Sequence, residues 1–320
     1  MEVALLAVAV AFAFVSGAND GGTLVALGTR TGALSVLAGV LVLSAAVGAV
    51  PAAMGTRVAT TLARGLVSFE DGGGRVAFLA AAAAALFVVL VLSRRGLPTS
   101  LTLALTGSIV GVGIGAGLRL SWATVGYVLA ASLLGPLAAS LVGYVVAPSM
   151  RSALGSPSSR EARTGRLQRL GFVVQSLAYG ANDAEKMVAF AAVATGASLD
   201  PVRPHLLDQG AVAVCFAAGA LFAVRRLSNR VTEQMVRVRR EGSLSAILAS
   251  SAVVFAGSAV GIPLSSTQAA TAGLLGGTER LTPHRARLQQ VFALGIGWAV
   301  TLPSAALLGA LLGLLTGGLR

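Results

Sequence analysis

Gly17-Ala18-Asn19-Asp20 stands inside one apolar stretch, residues 3–29, and the same four residues return as Gly180-Ala181-Asn182-Asp183 inside another, residues 170–196. Two more pairs match. Gly96-Leu97-Pro98-Thr99-Ser100 answers to Gly261-Ile262-Pro263-Leu264-Ser265, and Pro136-Leu137-Ala138-Ala139 to Pro303-Ser304-Ala305-Ala306. The offsets between partners are 163, 165 and 167 residues. Three motifs in one order at a nearly constant offset mark an internal duplication. The chain divides accordingly into a first repeat, residues 1–148, a linker, 149–169, and a second repeat, 170–320.

The solvent for these stretches is lipid. Hydrophobic residues make up 55% of the chain and charged residues 11%, against about 25% charged in soluble domains. A soluble chain of 320 residues has no interior large enough for that much apolar surface, and a disordered one would be polar. The formal charge of +12 invites a nucleic-acid reading, but nearly all the arginines fall in loops between apolar stretches, where they act as topology signals. No nucleic-acid partner is expected. The lone Cys215 excludes an intramolecular disulfide. The first 15 residues carry Glu2 and no Lys or Arg, unlike the positive start of a secretory signal, and read as a membrane helix.

Apolar stretches run over 3–29, 33–54, 76–93, 97–118, 121–148, 170–196, 206–224, 244–262, 263–278 and 287–317; a spanning helix needs about 20 residues. The three motif pairs read as breaks in these helices, tolerated in lipid only where the freed backbone lines a protein cavity. Residues 76–93 with 97–118 then form a re-entrant hairpin with its tip near Pro98, and 244–262 with 263–278 another near Pro263. Each repeat makes three crossings plus a hairpin, and an odd number of crossings inverts the second repeat. This puts 15 arginines inside, six outside, and Arg94 and Arg95 at a tip, as the positive-inside rule asks. Both termini fall outside. Counting the first arm of each hairpin as a full span and the second as a dip would instead give four crossings per half and parallel repeats, and would move Arg280, Arg285 and Arg287 outside, which fits the positive-inside rule less well. The expected fold is an all-α integral membrane protein with an inverted-topology repeat, each half holding a broken helix and a re-entrant hairpin.

Inverted repeats with interrupted helices at matching positions mark a secondary transporter. Asp20 and Asp183 are the only aspartates deep in apolar segments; a carboxylate there needs a cavity and a partner. The natural partner is a coupling cation, Na⁺ or H⁺, with Asn19 and Asn182 adding amide donors and acceptors. The tips read Pro98-Thr99-Ser100-Leu101-Thr102 and Pro263-Leu264-Ser265-Ser266-Thr267. Helix starts offer unpaired N–H groups and a positive dipole end, so two facing starts suit a tetrahedral oxyanion. Thr99, Ser100, Thr102, Ser265, Ser266 and Thr267 add hydroxyls. Glu185 and Lys186 follow the second motif only; they form an ion pair that sets helix position, or Lys186 supplies charge near an anion or occupies a cation position. Thr23 stands where Lys186 stands in the second half.

On these residues the chain resembles the inorganic phosphate transporter (PiT) family. That family carries a duplicated Gly-Ala-Asn-Asp stretch, here 17–20 and 180–183, and the second copy typically continues as Asn-Asp-x-Gln-Lys, here Asn182-Asp183-Ala184-Glu185-Lys186. Its hairpin tips are similar to residues 98–103 and 263–268, although Leu101, Leu103, Gln268, Thr23 and Glu185 depart from the pattern. The resemblance implies symport of inorganic phosphate with Na⁺ or H⁺, no other cofactor, and a homodimer with elevator-like movement in the plasma membrane. It also implies that Asp20 and Asp183 take part in anion as well as cation binding. Sulfate symport on the same fold is the nearest alternative. An intramembrane enzyme acting on a lipid phosphate would need a nucleophile or metal cluster, and no paired His or Cys of standard spacing is present; neither catalytic nor metal residues are expected. A membrane protein that has lost transport is the remaining alternative.

Overall fold

The computed structural model describes residues 2–29, 34–69, 74–95, 97, 99–153, 160–196, 205–227, 240–281 and 286–317. Pro98 and Gly96 of the first tip, the middle of the linker and most of the arginine-rich loop after residue 227 lie outside them. Thirteen α-helices are described: α1 Glu2–Ser16, α2 Gly22–Thr29, α3 Val36–Met54, α4 Arg57–Thr60, α5 Gly74–Arg94, α6 Leu101–Gly115, α7 Trp122–Ala153, α8 Arg160–Tyr179, α9 Glu185–Thr195, α10 Leu206–Leu227, α11 Arg240–Ala259, α12 Ser266–Leu281 and α13 Ala286–Gly317. Helix is the natural answer in lipid, because it satisfies every backbone group within one segment. Among the described residues the only β feature is an isolated bridge, Val67 to Leu120.

Among the described residues, seven helices are long and apolar enough to cross a membrane: Val3–Thr29, Val36–Met54, Gly74–Arg94, Trp122–Ala153, Leu206–Arg225, Gly242–Ala259 and Gly295–Gly317. The protein is a multi-pass membrane protein. The helix through the second motif, residues 160–195, is as long, and it buries Asp183, Glu185 and Lys186. In each hairpin the second arm is short: α6 has 15 residues and α12 has 16.

The helices expected to break at the two Gly-Ala-Asn-Asp motifs stay helical. Each widens into one π turn, Gly17–Gly21 and Gly180–Ala184, between flanking α segments. A π turn re-aims side chains without releasing a stretch of backbone into an apolar surrounding, and such turns gather at functional sites. The glycine that opens each motif lets a neighbour close in. A Cβ on Gly17 would lie 2.0 Å from the Phe216 carbonyl of α10, and one on Gly180 would lie 2.8 Å from the Ala46 carbonyl of α3. The third expected pair of breaks is also absent: Pro136 sits inside α7 and Pro303 inside α13, both 32-residue helices. Helical structure also enters the expected linker from both sides, to Ala153 and from Arg160.

The two halves exchange partners. Hairpin arm α6 packs on α13, the last helix of the other half, and α12 packs on α7. The first motif's π turn packs on α10 and the second motif's on α3. Phe190 packs against Phe12, tilted, and stacks on Phe78, with centroids 4.6 and 4.7 Å apart, joining α1, α5 and α9 in the largest core.

Candidate functional site: two aspartates around one hairpin tip

The second motif and the second tip interlock. Asn182 is fully buried; its Nδ2 donates to Ser258 Oγ (3.1 Å) and the Ile262 carbonyl (2.9 Å), and its Oδ1 accepts from Leu264 N (3.0 Å). One side chain thus satisfies the backbone of the turn between α11 and α12. That turn passes through Gly261 at φ +72°, a left-handed conformation that suits glycine. Asp183 faces the same tip: Ser266 Oγ donates to its Oδ2 in a short hydrogen bond, and Lys186 Nζ lies 2.6 Å from its Oδ1. The Lys186 ammonium donates further to Thr102 Oγ1 (2.7 Å) and to the Leu264 carbonyl (2.5 Å). Three N–H groups therefore have three acceptors. Thr102 Oγ1 itself donates to the Leu264 carbonyl (3.1 Å), so this tip oxygen joins both hairpins.

Asp20 sits across the same site and is differently served. Its Oδ1 accepts from Asn19 Nδ2 at 2.8 Å and from Thr267 Oγ1 at 3.4 Å. It is 5% exposed, and no cationic side chain among the described residues bonds to it. It lies near enough to Asp183 to be repelled and to Lys186 to be attracted. The wholly buried Tyr179 hydroxyl lies beside Asp20 without a partner in hydrogen-bond geometry. Thr23 turns away: its Oγ1 donates to the Asn19 carbonyl at 2.9 Å.

The hydroxyls grouped together by sequence fall into two sets. Thr102 and Ser266 join the Asp183–Lys186 cluster: Thr102 accepts from Lys186 and donates to the Leu264 carbonyl, and Ser266 donates to Asp183. Ser100 and Ser265 cap the hairpin helices, accepting from Leu103 N (3.2 Å) and Gln268 N (3.4 Å) respectively. Ser265 and Thr267 share a proton at 3.2 Å, and Thr99 shares one with Ser93 at 3.1 Å. Glu185 does not bond to Lys186. Its Oε2 accepts from Val58 N (2.7 Å) and Ala59 N (3.1 Å), at the start of α4. The Leu264 and Ile262 carbonyls, Ser258 and Tyr179 complete the site. Tyr179, next to the second motif, is the one of these that its position in sequence could have marked.

Fold and site together describe a membrane protein with two buried aspartates meeting at a helical hairpin. A model of the "Phosphate transporter family" matches residues 16–309, and the chain belongs to that family. It is 31% identical over 317 residues to a low-affinity inorganic phosphate transporter of Mycobacterium bovis, covering 94% of this chain and 74% of the relative. It is 26% identical over 324 residues to one of Bacillus subtilis, covering 97% and 96%. These relatives are transporters, not enzymes. The fold is similar to that of a solved sodium-dependent phosphate transporter, with TM-score 0.83 and 17% identity over 98% of both chains.

Proposed function

We propose that this protein is a secondary active symporter that brings inorganic phosphate across the plasma membrane, driven by a Na⁺ or H⁺ gradient. The observation that carries the reading is Asp20: a carboxylate 5% exposed, beside an anion-type helix start, to which no cationic side chain among the described residues is bonded, the nearby Lys186 being bonded to Asp183, Thr102 and Leu264. A buried carboxylate must be paired or neutralised, and a cation from solution does either. Backbone N–H groups at the starts of α6 and α12, with Ser100, Ser265 and Thr267, would hold the oxyanion. The site opens and closes by elevator-like movement in a homodimer. The exchange of partners between halves supports an inverted repeat, and the placement of the arginines supports three crossings and one re-entrant hairpin in each half with both termini outside.

Reconstituted protein tests this directly. Labelled phosphate should accumulate in proteoliposomes under a Na⁺ or a proton gradient, and labelled sulfate should not. Accumulation of sulfate alone would move the assignment to a sulfate symporter, and no accumulation of either would end the transport reading. For the topology, cysteines placed near 160 and 235 should label only from the cytoplasmic side, and those near 200 and 320 only from outside. A C-terminus that labels from inside would favour parallel repeats.

A further inference from the structure

The two motif copies have the same four residues, but only the second has a cationic side chain bonded to its aspartate. In the second, the Lys186 ammonium is held by a carboxylate oxygen of Asp183, the Thr102 hydroxyl and the Leu264 carbonyl, at 2.6, 2.7 and 2.5 Å. Freed backbone carbonyls coordinate the coupling cation in transporters of broken-helix type, and a carboxylate and a hydroxyl beside one make an oxygen set suited to a small cation. Here a tethered ammonium fills it. All three of its N–H groups are taken, and the residue is 3% exposed, so Lys186 has no donor left for an anion. In the first half the equivalent position is Thr23, whose hydroxyl bonds back to its own helix. Asp20 is left with two neutral donors, Asn19 and Thr267.

We infer that Lys186 is a built-in cation which occupies the second-half ion site, so that Asp20 alone takes a mobile coupling cation and one such cation moves with each anion. This rests on the symport reading above. A lysine makes an effective substitute because it is a compact point charge on a flexible stem. It cannot dissociate, so the second aspartate is neutralised throughout the cycle and adds no cation dependence. Exchange at that site would require removing the side chain.

The test counts charge. Full-length protein is reconstituted in proteoliposomes, and phosphate flux is balanced against an imposed Na⁺ or proton gradient and membrane potential, giving cations and charges moved per phosphate. The wild type should move one cation per phosphate. Lys186→Gln vacates the oxygen set and should move two, with one additional positive charge per phosphate at the same pH. An active Lys186→Gln protein with an unchanged count would overturn the inference, and so would a wild type that moves two. Should Lys186→Gln not fold, the wild-type count decides alone. No gradient-driven uptake by the wild type would instead defeat the symport reading, a result distinct from a count of two. Thr23→Lys provides the converse. A second tethered cation beside Asp20 should leave phosphate flux that no longer responds to either gradient, and flux with the wild-type coupling would count against the assignment.

Discussion

The first Gly-Ala-Asn-Asp turn and the second share sequence, π-turn geometry and an opening glycine pressed on a neighbouring helix, yet their asparagines do different work. Asn182 ties down the turn of the second hairpin with three hydrogen bonds. Asn19 donates to the adjacent aspartate. The aspartates differ as well, and their difference goes with the residue three positions further on. Lys186 draws Asp183 into a closed cluster, whereas Thr23 leaves Asp20 open. A duplicated motif fixes the local backbone, and the residues outside it decide what each copy binds.

The largest effect should separate the two aspartates. Asp183→Asn leaves Lys186 as a buried cation without its carboxylate, and breaking a buried pair from one side costs about 3–5 kcal/mol. Uptake should vanish and the thermal midpoint of the detergent-solubilised protein should fall. Asp20→Asn should also end gradient-driven uptake, but with an unchanged midpoint, since no buried cation is stranded. Equal midpoints for the two variants would break the comparison.

Next come the hydroxyls at the tips. A hydrogen bond to a charged group is worth about 1.5–3 kcal/mol, or roughly 10- to 150-fold in affinity. Thr267→Ala should weaken phosphate binding at least tenfold with little change in folding, whereas Ser265→Ala and, if both tips face the anion, Ser100→Ala should weaken it as much and also lower the thermal midpoint, because each loses a helix cap. Ser266→Ala removes the proton given to Asp183 and should lower the thermal midpoint as well. Phosphate isotherms for all of these that overlay the parent would place the anion elsewhere.

The opening glycines sharpen the comparison from its symmetric side. Gly17→Ala and Gly180→Ala each drive a methyl group against backbone of the facing helix. Overpacking of this kind costs about 1–3 kcal/mol, so both thermal midpoints should fall. The Gly17 variant should suffer more, because its nearest atom is a carbonyl at 2.0 Å, against a Val50 Cβ at 2.7 Å for Gly180.

Much of this was legible beforehand, because lipid as solvent leaves few choices. Apolar runs announced the helices, and matched motifs announced the two aspartates and the hairpin tips. The continuity of the motif helices was not legible. Asparagine, aspartate and glycine suit a break as well as a π turn, and the choice depends on α10 and α3 closing over Gly17 and Gly180. Proline at 136 and 303 misled in the same way: each removes one donor, and a long helix packed on its partner hairpin runs through the gap. The Leu264 and Ile262 carbonyls had no signal at all, since any residue type carries one. The partner of Glu185 was hidden too, because it consists of backbone N–H groups more than a hundred residues away.

Glu185 supports the smallest prediction, and it tests whether every buried charge after the second motif belongs to the ion site. Its carboxylate is 3% exposed and accepts two N–H groups at the start of α4, a four-residue helix packed on α9. Nearby, Arg57 Nη1 donates to the Ala259 carbonyl at 2.5 Å, joining this short helix to the end of α11. Glu185 therefore holds a connecting segment against the second hairpin, with its bonds pointed away from Lys186. In Glu185→Gln an amide oxygen of the same reach can still accept, and only the charged share of the two bonds is lost. The difference between charged and neutral hydrogen bonds is about 1 kcal/mol. The thermal midpoint should fall slightly, while the number of cations moved per phosphate stays at the wild-type value. A change in that number would bring Glu185 into the coupling site and dissolve the contrast between a closed second aspartate and an open first one.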